Sequence, residues 1–290
     1  MEAAGRDGGE LGRFVSGVTS GDRMPYRDLR LLPEGERAFE RFLGELRERL
    51  DDPSVDRNVL CRDTLARLYG VALDGDALAD ESVPAATRAL YASFDPRNIT
   101  LEPEYYADVD PVKYARVKPL TWLWIMFDRS PLGQNAWLGH RFRRLLAERV
   151  FQRCGRDVKI WHFVEYSYGY NLSVGDHVTI HRQVLLDDRG GIEIGDHVSI
   201  SDYANIYSHA HDIDDISRVY LRKTVIGDHA RITYHATVLA GTTVGRDAMI
   251  GALAVATRDV PGSTVSVGVP ARPVRAKGRP CPYCEEGSRP

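Results

Sequence analysis

Cysteine is scarce in this chain, with four in 290 residues. That is too few for a disulfide framework and points to a reducing cytoplasm. An excess of charge is missing too. The 38 Lys and Arg face 41 Asp and Glu, a formal net charge of −3, so nothing global favours nucleic acid or an anionic membrane as a partner. No apolar run approaches the length of an integral membrane segment. The longest, LTWLWIMF at 120–127, predicts a buried helix or strand. The N-terminus, MEAAGRDGGELGR, lacks the basic-then-apolar order of a secretory signal. The rest, 43% hydrophobic and 27% charged, is ordinary globular composition, with length for one large or two modest domains.

Residues 1–26 are rich in glycine and charge and read as a flexible tail. From 27 to 153 the apolar spacing predicts a helical domain. Phe39, Phe42, Leu43, Leu46 and Leu50 form one stripe behind Pro33, and Leu60, Leu65, Leu68 and Tyr69 form another that ends at Gly70, a C-cap candidate. Ser82 and Pro84 look like a cap and a first-turn proline, and Trp137, Leu138, Phe142, Leu145, Leu146 and Val150 make a further stripe. This half shows no chemistry, and its aromatics read as core.

From 154 to 276 the chain counts in sixes. Val174, Ile180 and Leu186 are followed, after a short slip, by Ile194, Ile200 and Ile206. An irregular stretch, IYSHAHDIDD at 206–215, then intervenes. The count resumes at Ile226 and runs through Ile232, Val238, Val244, Ile250 and Ala256. Four residues after most anchors sits a small or branched residue: Val178, Val184, Val198, Ala204, Ala230, Ala236, Thr242, Ala248 or Ala254. A period of six suits neither a helix nor a lone alternating strand. It suits a chain that makes a short strand, turns and repeats, three strands to a coil, each coil burying its aliphatics against the next. The fold class is therefore α+β, a helical N-terminal region followed by a parallel β-solenoid. Residues 277–290 read as a C-terminal tail, and its CPYC, Cys281 to Cys284, has no second cysteine pair near it in the sequence.

The stretches YGYNLSVGDHVTIHRQVLLDD, IEIGDHVSISDYANIYSHAHDIDD, VIGDHARITYHATVLAGTTVGRDAMIGALAVATRDVPG and SVGVPARPVRAKG resemble the hexapeptide-repeat acyltransferases, in particular the maltose and galactoside O-acetyltransferase branch. The likeness covers about residues 165–277. It implies a left-handed parallel β-helix, a homotrimer, acetyl-CoA as acyl donor and a hydroxyl on a sugar or glycan-like acceptor.

The histidines sort by phase. His177, His197, His229 and His235 each lie three residues after an anchor and read as corner residues; His209 has the same phase and the same expectation. His211 lies five after Ile206, where the coil stops. The resemblance also puts the family's catalytic base at His211. An imidazole titrates near neutrality and can take the proton of an attacking hydroxyl. Family members carry a glutamate where this chain has Val219, so the carboxylate that orients the ring is either missing or supplied by Asp212, Asp214 or Asp215.

The same resemblance puts Ala252 and Thr257 along the pantetheine of the donor. It sets Arg258 and Arg275 toward its phosphates, within a basic group that adds Arg272, Lys277 and Arg279. For the acceptor it implies Asp187 or Asp188. Where the family has an asparagine, His181 and Arg182 are the polar groups available to the acceptor, Tyr170 is a further candidate for the same pocket, and Arg231 replaces a tryptophan. Two rival readings stand beside this one. A hexapeptide-repeat zinc carbonic anhydrase would need histidines where this chain has Tyr234 and Leu239, so no metal is expected. A non-catalytic β-helical scaffold is the other.

Overall fold

The computed structural model describes residues 29–73 and 78–278. The expected tail at 1–26 and all but the first two residues of the one at 277–290, with Arg279 and CPYC, lie outside the described residues. Helices α1 (Pro33–Asp51), α2 (Arg57–Leu68), α3 (Ala85–Phe94), α4 (Pro111–Asp128) and α5 (Ala136–Val150) fill the first half. Local chemistry sets their ends. Asp56 accepts from Asn58 N at the start of α2, Asp110 from Val112 N and Lys113 N at α4, and Asn135 from Leu138 N at α5. Gly70 follows α2 with φ +68, the left-handed geometry of a C-terminal cap. At α3 the cap differs from expectation. The helix opens at Ala85 behind Pro84, and no side chain caps it.

LTWLWIMF is helix, inside α4, with Leu120, Leu123, Trp124 and Phe127 buried. Phe127 stacks on Phe142 of α5 at 3.7 Å. Among the described residues no helix is long and apolar enough to cross a membrane.

The strands then come in threes. β1 (Arg153–Cys154), β2 (Lys159–Ile160) and β3 (Glu165–Tyr166) make the first coil. β4 (Leu172–Val174), β5 (Thr179–Ile180) and β6 (Leu185–Asp187) make the second, and β7 (Ile192–Ile194), β8 (Ser199–Ile200) and β9 (Asn205–Tyr207) the third. A hairpin of β10 (His209–His211) and β11 (Val219–Leu221) interrupts. β12 (Thr224–Ile226), β13 (Arg231–Ile232) and β14 (Thr237–Val238) form the fourth coil, and β15 (Thr243–Val244), β16 (Met249–Ile250) and β17 (Val255–Ala256) the fifth. β18 (Thr264–Val267) begins another, and β19 (Arg272–Ala276) pairs antiparallel with it.

Equivalent strands stack in parallel into three sheets, the faces of a prism. Every counted anchor, Val174 to Ala256, points inward and is at most 1% exposed. One coil precedes the count. Cys154, Ile160 and Tyr166 occupy its anchor places, and Tyr166 packs edge-on against Trp124 at 5.4 Å. Two of its three anchors are not aliphatic because they face the helices. His177, His197 and His229 sit at corners with φ near +57 to +59, and their rings stack at 4.8 and 4.9 Å. His235 is also a corner residue, φ +55.

A buried ion pair ties helices to solenoid. Arg143 reaches Asp128 at 2.6 Å, and both side chains are 2% exposed. Arg143 also donates to Gly133 O and Ile160 O, and Asp128 accepts from Phe163 N. The pair's polar atoms are partnered, Gly133 O within the helical half and Ile160 O and Phe163 N across the joint, which is the condition under which such a pair is tolerated in a dry interior.

Candidate active site

The third coil is where the chain leaves its repeat. After β9 the backbone runs outward into β10, turns, and returns along β11, with His209 opposite Leu221 and His211 opposite Val219. The hairpin's base is fastened to the coils. Ser208 Oγ donates to Asp187 O at 2.5 Å and accepts from Gly190 N, Arg222 N bonds Ser208 O, and Thr224 Oγ1 donates to Tyr207 O. The turn is organised by Asp212, whose carboxylate accepts from Asp214 N, Asp215 N and Tyr220 Oη. Those bonds hold the Asp212 carboxyl below its usual range, the Tyr220 hydroxyl contributing most.

His211 is exposed on this hairpin, and its Nδ1 lies 2.8 Å from Ile216 O. A carbonyl only accepts, so Nδ1 carries the proton and the lone pair of the neutral ring is on Nε2. The orienting group is thus a backbone carbonyl. Of the carboxylates expected in that role, Asp212 accepts the turn's N–H groups, Asp214 contributes its backbone N–H to the turn, and Asp215 pairs with Arg218. The carbonyl wins because the loop is short and folds its own residue 216 back onto the ring.

His209 departs from its expected corner role. It lies in β10, and its Nδ1 is hydrogen-bonded to Asp187 Oδ2. Asp187 Oδ1 accepts from Ser167 Oγ at 3.1 Å, and the Asp187 side chain is only 4% exposed. Asp188 is wholly buried; burial pushes its carboxyl up to about 6, against the pull of backbone N–H donors from Tyr168, Gly169 and Asn171. It braces the corner and has no free face for an acceptor. The helical half reaches this corner through Asp108, which forks with Arg189, whose guanidinium lies 4.0 Å over the Tyr106 ring. Tyr170 Oη accepts from Asp110 N and is likewise committed to the helical half. Beside the hairpin runs an open groove of about 650 Å3 lined by Asn171, Arg189, Glu193, Leu221 and Lys223 among others.

The remaining candidates lie elsewhere. His181 stacks on Trp161 and Arg182 pairs with Asp202 at 2.9 Å, on the edge of the prism across the β3-β6-β9 sheet from the hairpin. Burial lowers the His181 value. Ala252 is exposed on that same far edge. Thr257 and Arg258 are exposed on the hairpin's own edge, two coils on, about 10 Å at the spacing of paired strands. Arg272 and Arg275 project from β19, and Arg231 is exposed on β13; Lys277 is held by Asp247 at 2.6 Å.

No family model matches the sequence. Curated proteins do. The chain is 28% identical over 137 residues to the galactoside O-acetyltransferase of Escherichia coli, covering 46% of this chain and 68% of that one. It is 31% identical over 137 residues to a putative acetyltransferase of Staphylococcus aureus, covering 46% and 69%. Among solved structures, a hexapeptide-repeat acetyltransferase from Vibrio cholerae complexed with acetyl coenzyme A superposes with a TM-score of 0.50 at 25% identity, over 58% of this chain and 88% of that one. The chain belongs to the hexapeptide-repeat acetyltransferases. As in that fold, the coils of this acetyltransferase form a left-handed parallel β-helix. Both curated matches leave more than half of the chain uncovered.

Sequence reasoning passed over four residues that build this acetyltransferase's corner: Ser167, Arg189, Asp108 and the partnered form of His209. Ser167 and Arg189 lie on the coils and His209 on the hairpin that leaves them; Ser167 and Asp187 differ by 20 residues, one coil's length, so adjacent coils stack them. Asp108 comes from the helical half, where no spacing rule points to it.

Proposed function

We propose that the protein is an acetyl-CoA-dependent O-acetyltransferase whose acceptor is a sugar or glycan-like molecule, with His211 as general base. Nε2 of His211 takes the hydroxyl proton as the oxygen attacks the thioester carbonyl. The tetrahedral adduct collapses, the carbon–sulfur bond breaks, and the proton passes to the leaving sulfur, giving an ester and free thiol. The observation that carries this is the Nδ1–Ile216 O bond at 2.8 Å, which leaves the basic nitrogen outward on the element that breaks the coil. The names of the relatives point the same way, one a galactoside O-acetyltransferase and one solved with acetyl coenzyme A.

The donor would lie along Ala252 and Thr257 with its phosphates toward Arg258, Arg272 and Arg275, cations exposed near the last coils. Ala252 and His211 stand on opposite edges of one sheet, so a single chain separates them. A homotrimer would bring one subunit's hairpin to another's far edge. His181 and Arg182, on that far edge, would then face the acceptor from the neighbour. On this reading residues 154–276 are the acyltransferase domain and 27–153 a helical domain, and the free thiols of Cys61 and Cys154 suit a reducing cytoplasm.

Thiol release from acetyl-CoA with a panel of sugar acceptors tests the reading. His211→Ala is expected to lower kcat by about 10²–10⁴ with the acetyl-CoA KM unchanged. An unchanged rate would remove His211 from the chemistry. Absence of acetyl-CoA binding and of release by the wild type would favour the scaffold. Sedimentation equilibrium is expected to give three times the 32.5 kDa chain mass, and a monomer would contradict the shared site.

A further inference from the structure

The Asp187–His209 pair lies beside His211, and the reaction above does not use it. Both oxygens of Asp187 are engaged, one by Ser167 Oγ and one by His209 Nδ1, and the carboxylate is buried beneath the ring. The resemblance implied that an aspartate here touches the sugar. In this chain the imidazole covers it, and His209 is what remains accessible, its side chain 20% exposed. An ionised carboxylate only accepts, so Nδ1 bears the proton and Nε2, across the ring, bears the lone pair. The carbonyl of Ile216 fixes His211 in the same tautomer. The two rings stand nearly perpendicular, 81°, with centroids 5.4 Å apart. The corner therefore offers two outward nitrogens, both hydrogen-bond acceptors, and a ligand that satisfies them must bring two donors.

We propose that His209 is a second substrate-contacting imidazole: its Nε2 accepts a hydrogen bond from a hydroxyl neighbouring the one His211 deprotonates, so the acceptor is a polyol with adjacent hydroxyls. Asp187 is a positioning residue that sets the tautomer of His209, and Ser167 steadies Asp187. This rests on the acetyltransferase reading and adds the acceptor's chemistry to it. The role parallels the carboxylate of a catalytic triad, which holds an imidazole in its productive tautomer without exchanging a proton.

Two variants separate the nitrogens. Asparagine at 209 can keep the bond to Asp187 but lacks the outward nitrogen, whereas glutamine can place an amide oxygen near the Nε2 position. With methyl galactoside and its monodeoxy analogues as probes, His209→Asn is expected to raise the acceptor KM about tenfold or more. The acetyl-CoA KM should not change, and the variant should lose discrimination between the diol and the deoxy analogue. His209→Gln is expected to recover some of both. Asp187→Asn, which donates to Nδ1 and moves the ring proton to Nε2, should behave like His209→Asn. Nitrogen-15 spectra of the histidine side chains give a reading free of any acceptor, and the wild type should show His209 protonated at Nδ1. A wild type protonated at Nε2, an unaltered KM and discrimination in His209→Asn, or transfer to single-hydroxyl alcohols but to no diol would each overturn the proposal. Calorimetry with acetyl-CoA on the same samples tells the two failures apart. Intact donor binding and transfer with an indifferent His209→Asn sinks only the role of His209, while no donor binding by the wild type sinks the transferase reading itself.

Discussion

Asp128 and Arg143 are charges held almost without water, and each is pushed by its burial toward the neutral form: the Asp128 carboxyl upward and the Arg143 guanidinium downward, with the mutual attraction opposing both shifts. Removing one member leaves the other charged, buried and unpaired. Asp128→Ala is expected to cost about 3–5 kcal/mol in urea unfolding, since it also strands Phe163 N. A loss under about 1 kcal/mol would mean that water enters the joint. Exchange of both residues for apolar ones of similar volume should cost much less than either single change. His211 differs in kind. Its contact is one backbone carbonyl on an exposed hairpin, so His211→Ala should leave the unfolding midpoint nearly unmoved while it removes turnover.

At the scale of the element, the coil is a repeated compromise between large aliphatics inside and close backbone at the corners. Ile232 is fully buried in the fourth coil, between Ile200 below and Ile250 above. Ile232→Ala is expected to destabilise by about 2–5 kcal/mol, read from chemical denaturation. Gly195 shows the other half of the compromise, because a Cβ there would stand 2.3 Å from Asp228 Oδ1 and 2.7 Å from Asp228 N in the next coil. Gly195→Ala must push adjacent coils away from each other, and amide exchange should rise in β7 and β12 together. These regularities were legible because one side chain in six meets the same neighbours in each coil. The first coil was not, since Cys154 and Tyr166 answer to the helices packed on them. The hairpin's place was legible as a break in the count. Its pairing was not. The phase of His209 said corner, but the bond to Asp187 comes from a strand leaving the coil, and no period describes a departure. The carbonyl on His211 was hidden for a related reason: a backbone group leaves no mark in the sequence.

For the whole molecule, acid should loosen the fold. His140, His162, His181 and His229 all have values lowered from that of free imidazole, burial being the first cause in each. Each binds its proton more weakly folded than unfolded, so the stability they contribute is complete above the unfolded value of about 6.5 and is lost as pH falls through the folded ones. The thermal midpoint is expected to drop between pH 7 and pH 5. His140, whose Nδ1 bonds Ile160 O at the joint of helices and solenoid, is the residue to change. His140→Gln should flatten that slope, and an identical slope would move the effect to the other three.

The helices also close one end of the prism. α5 packs on β1 and β2, Trp124 of α4 covers Tyr166, and Asp128 takes the N–H of Phe163, so the outermost rung has a neighbour on its open side. At the far end β19 turns back antiparallel on β18. A parallel stack without such stoppers has no intrinsic reason to stop at its own terminus, because its last rung is a template for another molecule's first. Excising residues 29–150 opens only that end, because β19 still covers the other, so the expected product is a pair of particles joined open end to open end, which light scattering would register as a doubling of mass with no further growth.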